Sequence, residues 1–161
     1  MKIAQLSGAY VNAGDFLIQD ASNALLRRVF PSAEITIYLR NQISEHFSEI
    51  DNADVIVFTG GPLIKEDIST TIPLDVCMRF TPPMMLMGVG WYGKDGSLDC
   101  NYSYRFTPDT LAFYKKVTNE GGGIGVRDMY SYRTLKKECL DNIYFTGCPA
   151  WYNLELIDNV Q

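Results

Sequence analysis

Three short stretches of this chain hold residues whose types and spacing could do chemistry. The first, Gly8-Ala-Tyr-Val-Asn12-Ala-Gly14-Asp15, runs into a helical pattern. Its glycines permit close backbone approach, and a helix start offers free N–H groups to an anion or a carbonyl. Asp15 is itself an anion, so it would repel a phosphate placed directly there and better suits a sugar hydroxyl or a cation. Asn12 and Asp15 could equally do no more than cap the helix. The second stretch, Thr59-Gly60-Gly61-Pro62, is either a plain tight turn or a place where a ligand lies against backbone. The third, Arg127-Asp128, follows an apolar run. There a guanidinium can fork onto a phosphate or carboxylate, or pair with an acidic neighbour such as Asp128.

Other candidates read as structural. Gly88-Val-Gly90-Trp-Tyr-Gly93 spells G-x-G-x-x-G, but the dinucleotide fingerprint must open a helix in the first βαβ unit, and Lys94-Asp-Gly-Ser continues as loop. It is read as a decoy. There is no G-x-x-x-x-G-K-[ST], and nothing in the sequence asks for a cofactor. The single histidine, His46, lies between Glu45 and Glu49 on a polar helix face and reads as solvated rather than as a base. Cys77, Cys100, Cys139 and Cys148 form no C-x-x-C pair, so zinc is not expected, and Cys77, Cys139 and Cys148 read as packing residues. Tyr102, Tyr104 and Phe106 could stack on a sugar ring, but a lid packed on its own domain is favoured.

These stretches must be positioned by an alternation of strands and helices. Strands are predicted over Lys2–Ser7, Glu34–Leu39, Asp54–Thr59, Met84–Val89, Gly123–Val126 and Asn142–Phe145. Most are nearly continuous apolar runs, as in strands covered on both faces. Helices are predicted over Asp15–Phe30, Ile43–Asn52, Ile72–Phe80, Pro108–Glu120 and Met129–Leu140, with Thr107 and Asp128 as caps. In the first helix, Leu17, Ala21, Ala24, Leu25 and Val29 mark an apolar stripe. The expected fold is a Rossmann-like α/β sandwich on a mostly parallel sheet of about six strands. One domain over residues 1–150 and a tail or linker over 151–161 suit 161 residues.

The net charge of −5 argues against nucleic acid as a partner, because backbone phosphates demand a basic face. The longest apolar run, Met84–Val89, is too short for a transmembrane segment. Reduced thiols and a cytoplasmic or membrane-peripheral location are expected.

In order and spacing, several pieces resemble the amino-terminal half of the polysaccharide pyruvyl transferase family. They are Tyr10-Val-Asn12-Ala-Gly14-Asp15-Phe-Leu-Ile18, Ala53–Gly61, Gly88-Val-Gly90, Gly125-Val-Arg127-Asp128-Met-Tyr-Ser131 and Gly147-Cys-Pro149-Ala150. The resemblance implies one half of a GT-B glycosyltransferase fold. It also implies transfer of a pyruvyl group from phosphoenolpyruvate to a sugar or lipid-linked sugar, as a ketal, in exopolysaccharide or cell-wall polymer synthesis. It would place Asn12, Gly14, Asp15, Gly60, Gly61, Arg127 and Ser131 along an interdomain cleft. Pro62 and Cys148 stand where the family pattern has a third glycine and an acidic residue.

The Arg and His residues expected to hold phosphoenolpyruvate belong, by the same resemblance, to a second domain. The chain alone is therefore expected to be inactive, working with that domain or as a homo-oligomer. Trp151, Tyr152, Leu154 and Leu156 are candidates for the docking patch or for the linker leading to that domain. The competing expectation is a non-catalytic module that binds a sugar nucleotide or a protein. A stand-alone flavodoxin- or receiver-like domain is disfavoured, because no hydroxyl-rich phosphate loop or acidic pair follows the first strand.

Overall fold

The computed structural model describes residues 1–92 and 103–152. Six parallel strands form one sheet: β1 (Lys2–Ser7), β2 (Glu34–Leu39), β3 (Val55–Thr59), β4 (Met84–Val89), β5 (Gly123–Val126) and β6 (Ile143–Phe145). Their spatial order is β2-β1-β3-β4-β5-β6. The α/β Rossmann-like expectation holds. The first five strands follow the doubly wound flavodoxin-type order, with its switch point between β1 and β3.

Five helices accompany the sheet among the described residues: α1 (Ala13–Val29), α2 (Phe47–Asp51), α3 (Leu74–Cys77), α4 (Pro108–Asn119) and α5 (Met129–Lys137). One sheet face buries Leu6, Phe58, Leu86, Ile124 and Val126 in a continuous core with Ile50 of α2, Cys77 of α3, Phe113 of α4 and Leu135 of α5. Phe58 meets Phe113 edge-on at 5.8 Å. The other face has a small cluster of Ile3, Val57 and Leu26, the last from α1. Beyond α1 a groove of about 390 Å³ runs over β4 to β6, lined in part by Leu25, Met85, Tyr144 and Tyr152.

The caps fall where their residue types require. Asn12 Oδ1 accepts from Gly14 N at 2.9 Å, Thr107 caps α4 ahead of Pro108, and Asp128 caps α5. Three expectations need correction. The apolar stripe of α1 is displaced by one residue: Ile18, Ser22 and Leu26 are buried, while Leu17 is 59% exposed and Val29 is exposed. The helix turns its Ile18 row toward Gly60 and Val57, and a neighbouring row of similar hydropathy is left on the flank. The helix expected over Ile43–Asn52 shrinks to α2, preceded by a 3₁₀ turn at Arg40–Gln42. That over Ile72–Phe80 shrinks to α3, because Pro73 sets its start.

Candidate functional site

The sheet register brings the ends of three adjacent strands to one level. Ser7 pairs with Leu39 on one side and with Thr59 on the other, so the next residues, Gly8, Arg40 and Gly60, leave the sheet together at the switch point. Open α/β sheets bind ligands in such a crevice. Gly60 and Gly61 have φ of +61° and +75°, which side-chain-bearing residues rarely adopt. A Cβ on Gly60 would stand 2.3 Å from Ile18 Cγ2, so α1 can dock only against a glycine there.

Arg40 lies beneath this turn and is 3% exposed. Its Nη2 donates to the carbonyl oxygens of Thr59 at 2.5 Å and Gly60 at 2.8 Å. Its Nε is sealed from solvent without a partner. Burial holds the guanidinium down to about 10, against the opposing pull of Tyr10 and Asp15. Sequence reasoning missed this residue, although it follows a predicted strand directly, as Arg127 does.

A second cation stands at the end of β5. Arg127 is half-buried, and its Nε lies 2.4 Å from where a Cβ on Gly90 would be. Gly90 N in turn donates to Gly61 O at 2.9 Å. Both arginines thus lie against one hydrogen-bonded pair of glycines. Asp128 does not neutralise Arg127: its carboxylate accepts from Ser131 N, Ser131 Oγ and Trp91 N at 2.8, 2.8 and 2.9 Å. Among the described residues Arg127 has no side-chain hydrogen bond or ion pair. Asp15, in the first turn of α1, is half-buried and close enough to Arg40 to favour its charge, without forming an ion pair.

A family model for polysaccharide pyruvyl transferase matches residues 12–161. The chain belongs to this family. No curated protein matches it. Among solved structures it is similar to azoreductase AzrA, at 8% identity and a TM-score of 0.48, over 86% of this chain and 92% of that one.

Within this pyruvyl transferase-like domain, the residues singled out from the sequence separate by what holds them. Asp15, Gly60, Gly61 and Arg127 border the strand-end crevice. Asn12 is occupied as the N-cap of α1, and Gly14 supplies the N–H it accepts. Ser131 is fully buried with its hydroxyl on Asp128, so it acts through that carboxylate. The glycines of the apparent dinucleotide motif serve packing: Gly88, at φ +63°, makes room for Pro149, and Gly90 for Arg127. Gly93 lies outside the described residues.

His46 stands outside the crevice, its Nδ1 2.7 Å from Glu49 Oε2 and its ring 5.2 Å from that of Tyr38. The Cys77 thiol is pushed up to about 12 by burial, which makes it a packing residue rather than a nucleophile. Tyr104 packs on Trp91 at 4.3 Å and Phe106 on Tyr114 at 5.2 Å, the lid-on-its-own-domain arrangement. Tyr102 and Cys100, with Leu154 and Leu156, lie outside the described residues. Among the described residues no group of acidic, Cys and His side chains could hold a metal, and no helix is long and apolar enough to cross a membrane.

Proposed function

We propose that the domain serves transfer of a pyruvyl group from phosphoenolpyruvate to two hydroxyls of a sugar, within exopolysaccharide or cell-wall polymer synthesis. The donor methylene takes up a proton, the sugar hydroxyls add to C2, and the C2–O bond to phosphate breaks. Of the two protons the hydroxyls lose, one ends on the new methyl group and one on phosphate. Cations for the donor's phosphate and carboxylate, and a placed proton donor, carry most of such catalysis. The observation that carries this reading is Arg127, a half-buried guanidinium at the mouth of the crevice that has no partner among the described residues. Asp15, across the switch point, suits a sugar hydroxyl.

The chain's one histidine lies outside the crevice. On this reading the proton donor is a group other than His46, and no turnover is expected of residues 1–161 by themselves. Trp151, 83% exposed, and Tyr152 beside the open groove fit docking of a second domain or another copy. The place of His46 also fits the second reading, a non-catalytic binding module on the same scaffold.

Calorimetric titration with a uridine-diphosphate sugar and with phosphoenolpyruvate tests the proposal, beside nuclear magnetic resonance of the ketal methyl. Binding of the sugar nucleotide without ketal formation is expected. Binding of neither ligand overturns the pyruvyl-transfer reading, and turnover by the chain alone overturns its inactivity.

A further inference from the structure

Arg40 is more than a brace for the Gly60 turn. A guanidinium carries five N–H donors, and only Nη2 is used here, on two carbonyls. Among the described residues Nε is buried without a partner and Nη1 has none either, though it is not sealed from solvent. No carboxylate forms an ion pair with it among the described residues, although a buried cation is costly unless paired. A brace alone could be supplied by a neutral donor without that cost.

The walls around Nη1 are bare. A Cβ on Gly8 would stand 3.0 Å from Nη1, and one on Gly61 2.8 Å from it, so glycine at both positions keeps side chains off this nitrogen. The spot lies at the switch point, where three strands end in register. The glycine that roofs it, Gly61, is hydrogen-bonded to Gly90, against which Arg127 lies.

We infer that Arg40 contacts a substrate oxyanion, of phosphate or carboxylate, in the well between Gly8 and Gly61. Arg127 approaches the same ligand from the β5 side. The inference rests on the crevice being the substrate site, and it adds a second cation that the family resemblance did not place in this half. The oxyanion belongs either to phosphoenolpyruvate or to the diphosphate of a sugar acceptor.

The test is calorimetric titration of the 161-residue chain with inorganic phosphate, phosphoenolpyruvate and a uridine-diphosphate sugar. Wild type is compared with Gly8→Ala, Arg40→Lys and Arg40→Met, each checked for folding by circular dichroism. Gly8→Ala is the decisive variant, because it keeps the cation, asks the guanidinium to give by only a few tenths of an ångström, and screens Nη1. The expected result is binding of phosphate and of one organic ligand, which names the source. The dissociation constants should rise ~10-fold in Gly8→Ala and ~5-fold in Arg40→Lys, where a point charge replaces the fork.

Affinities in Gly8→Ala within twofold of wild type overturn the inference while leaving the pyruvyl-transfer reading in place. Phosphate binding that depends on Gly8 and Arg40, with neither organic ligand bound, supports the well and overturns that reading instead. Absence of all three ligands from wild type overturns both.

Discussion

Arg40 and Arg127 begin from the same local pattern and end in opposite states. Each is the first residue after a parallel strand, and each lies against a glycine whose missing Cβ makes its space. Arg40 is enclosed by the turns after β1 and β3 and spends one nitrogen on two carbonyls. Arg127 lies against Gly90 and, among the described residues, has no partner for its charge. The difference comes from strand order. The residue after β2 is drawn under the switch point, where the chains leaving β1 and β3 part to opposite faces, whereas the residue after β5 looks across the end of β4. Arg40 braces the crevice with one nitrogen and turns Nη1 toward the well, whereas the whole Arg127 guanidinium is left for what enters.

The largest effect that would break this contrast is expected at the glycines. Gly60→Ala places a Cβ 2.3 Å from Ile18 at a φ of +61°. Backbone strain and overpacking together should cost ~2–4 kcal/mol in urea unfolding. Gly90→Ala meets mainly the unpaired Arg127 side chain, which can move, so a loss below ~1 kcal/mol is expected. Equal losses at the two glycines would mean that the two turns are equally rigid.

Next in size is Arg40→Met, which leaves the carbonyls of Thr59 and Gly60 without their side-chain donor. Loss of those bonds should destabilise by ~1–3 kcal/mol, reduced by relief of the buried charge. A variant as stable as wild type would show that the turn holds without its brace.

Much of the contrast was legible in the sequence, and its gaps have physical causes. The interior strands were readable because parallel strands buried on both faces are continuous apolar runs bounded by glycine or charge, as at Val55–Thr59. The exposed edge strands β2 and β6 were readable from β-branched and aromatic residues. The caps Thr107 and Asp128 were readable because capping is local chemistry. The buried row of α1 was not, since Leu17 and Ile18 are equally apolar and only docking against Gly60 chooses between them. Arg40 was hidden for a related reason. Its burial depends on strand order, which no local pattern encodes, yet its position after Leu39 was the same signal that pointed to Arg127. Ser131 shows the converse: the resemblance puts it along the cleft, yet it is fully buried and its hydroxyl is already taken by Asp128.

Asp128 joins the β5 side to the aromatic cluster, and its removal should have an intermediate effect. Asp128→Ala deletes the cap of α5 together with the bond to Trp91 N. A loss of ~1 kcal/mol is expected from the cap, with a change in Trp91 fluorescence as its backbone anchor is lost. An unchanged emission spectrum would show that packing on Tyr104 alone holds the ring.

The smallest effect on stability sharpens the comparison most. Arg127→Met removes a charge with no partner and keeps a side chain of similar length over Gly90, so unfolding should shift by no more than ~0.5 kcal/mol. An arginine so nearly neutral to folding has no structural reason to sit half-buried at a strand end, where partial desolvation of its charge is a cost. The same substitution should nevertheless weaken binding of phosphate-bearing ligands, measured by calorimetry on a variant whose urea midpoint matches wild type. If stability falls by several kcal/mol instead, Arg127 is a second brace like Arg40, and the crevice has no free cation at its mouth.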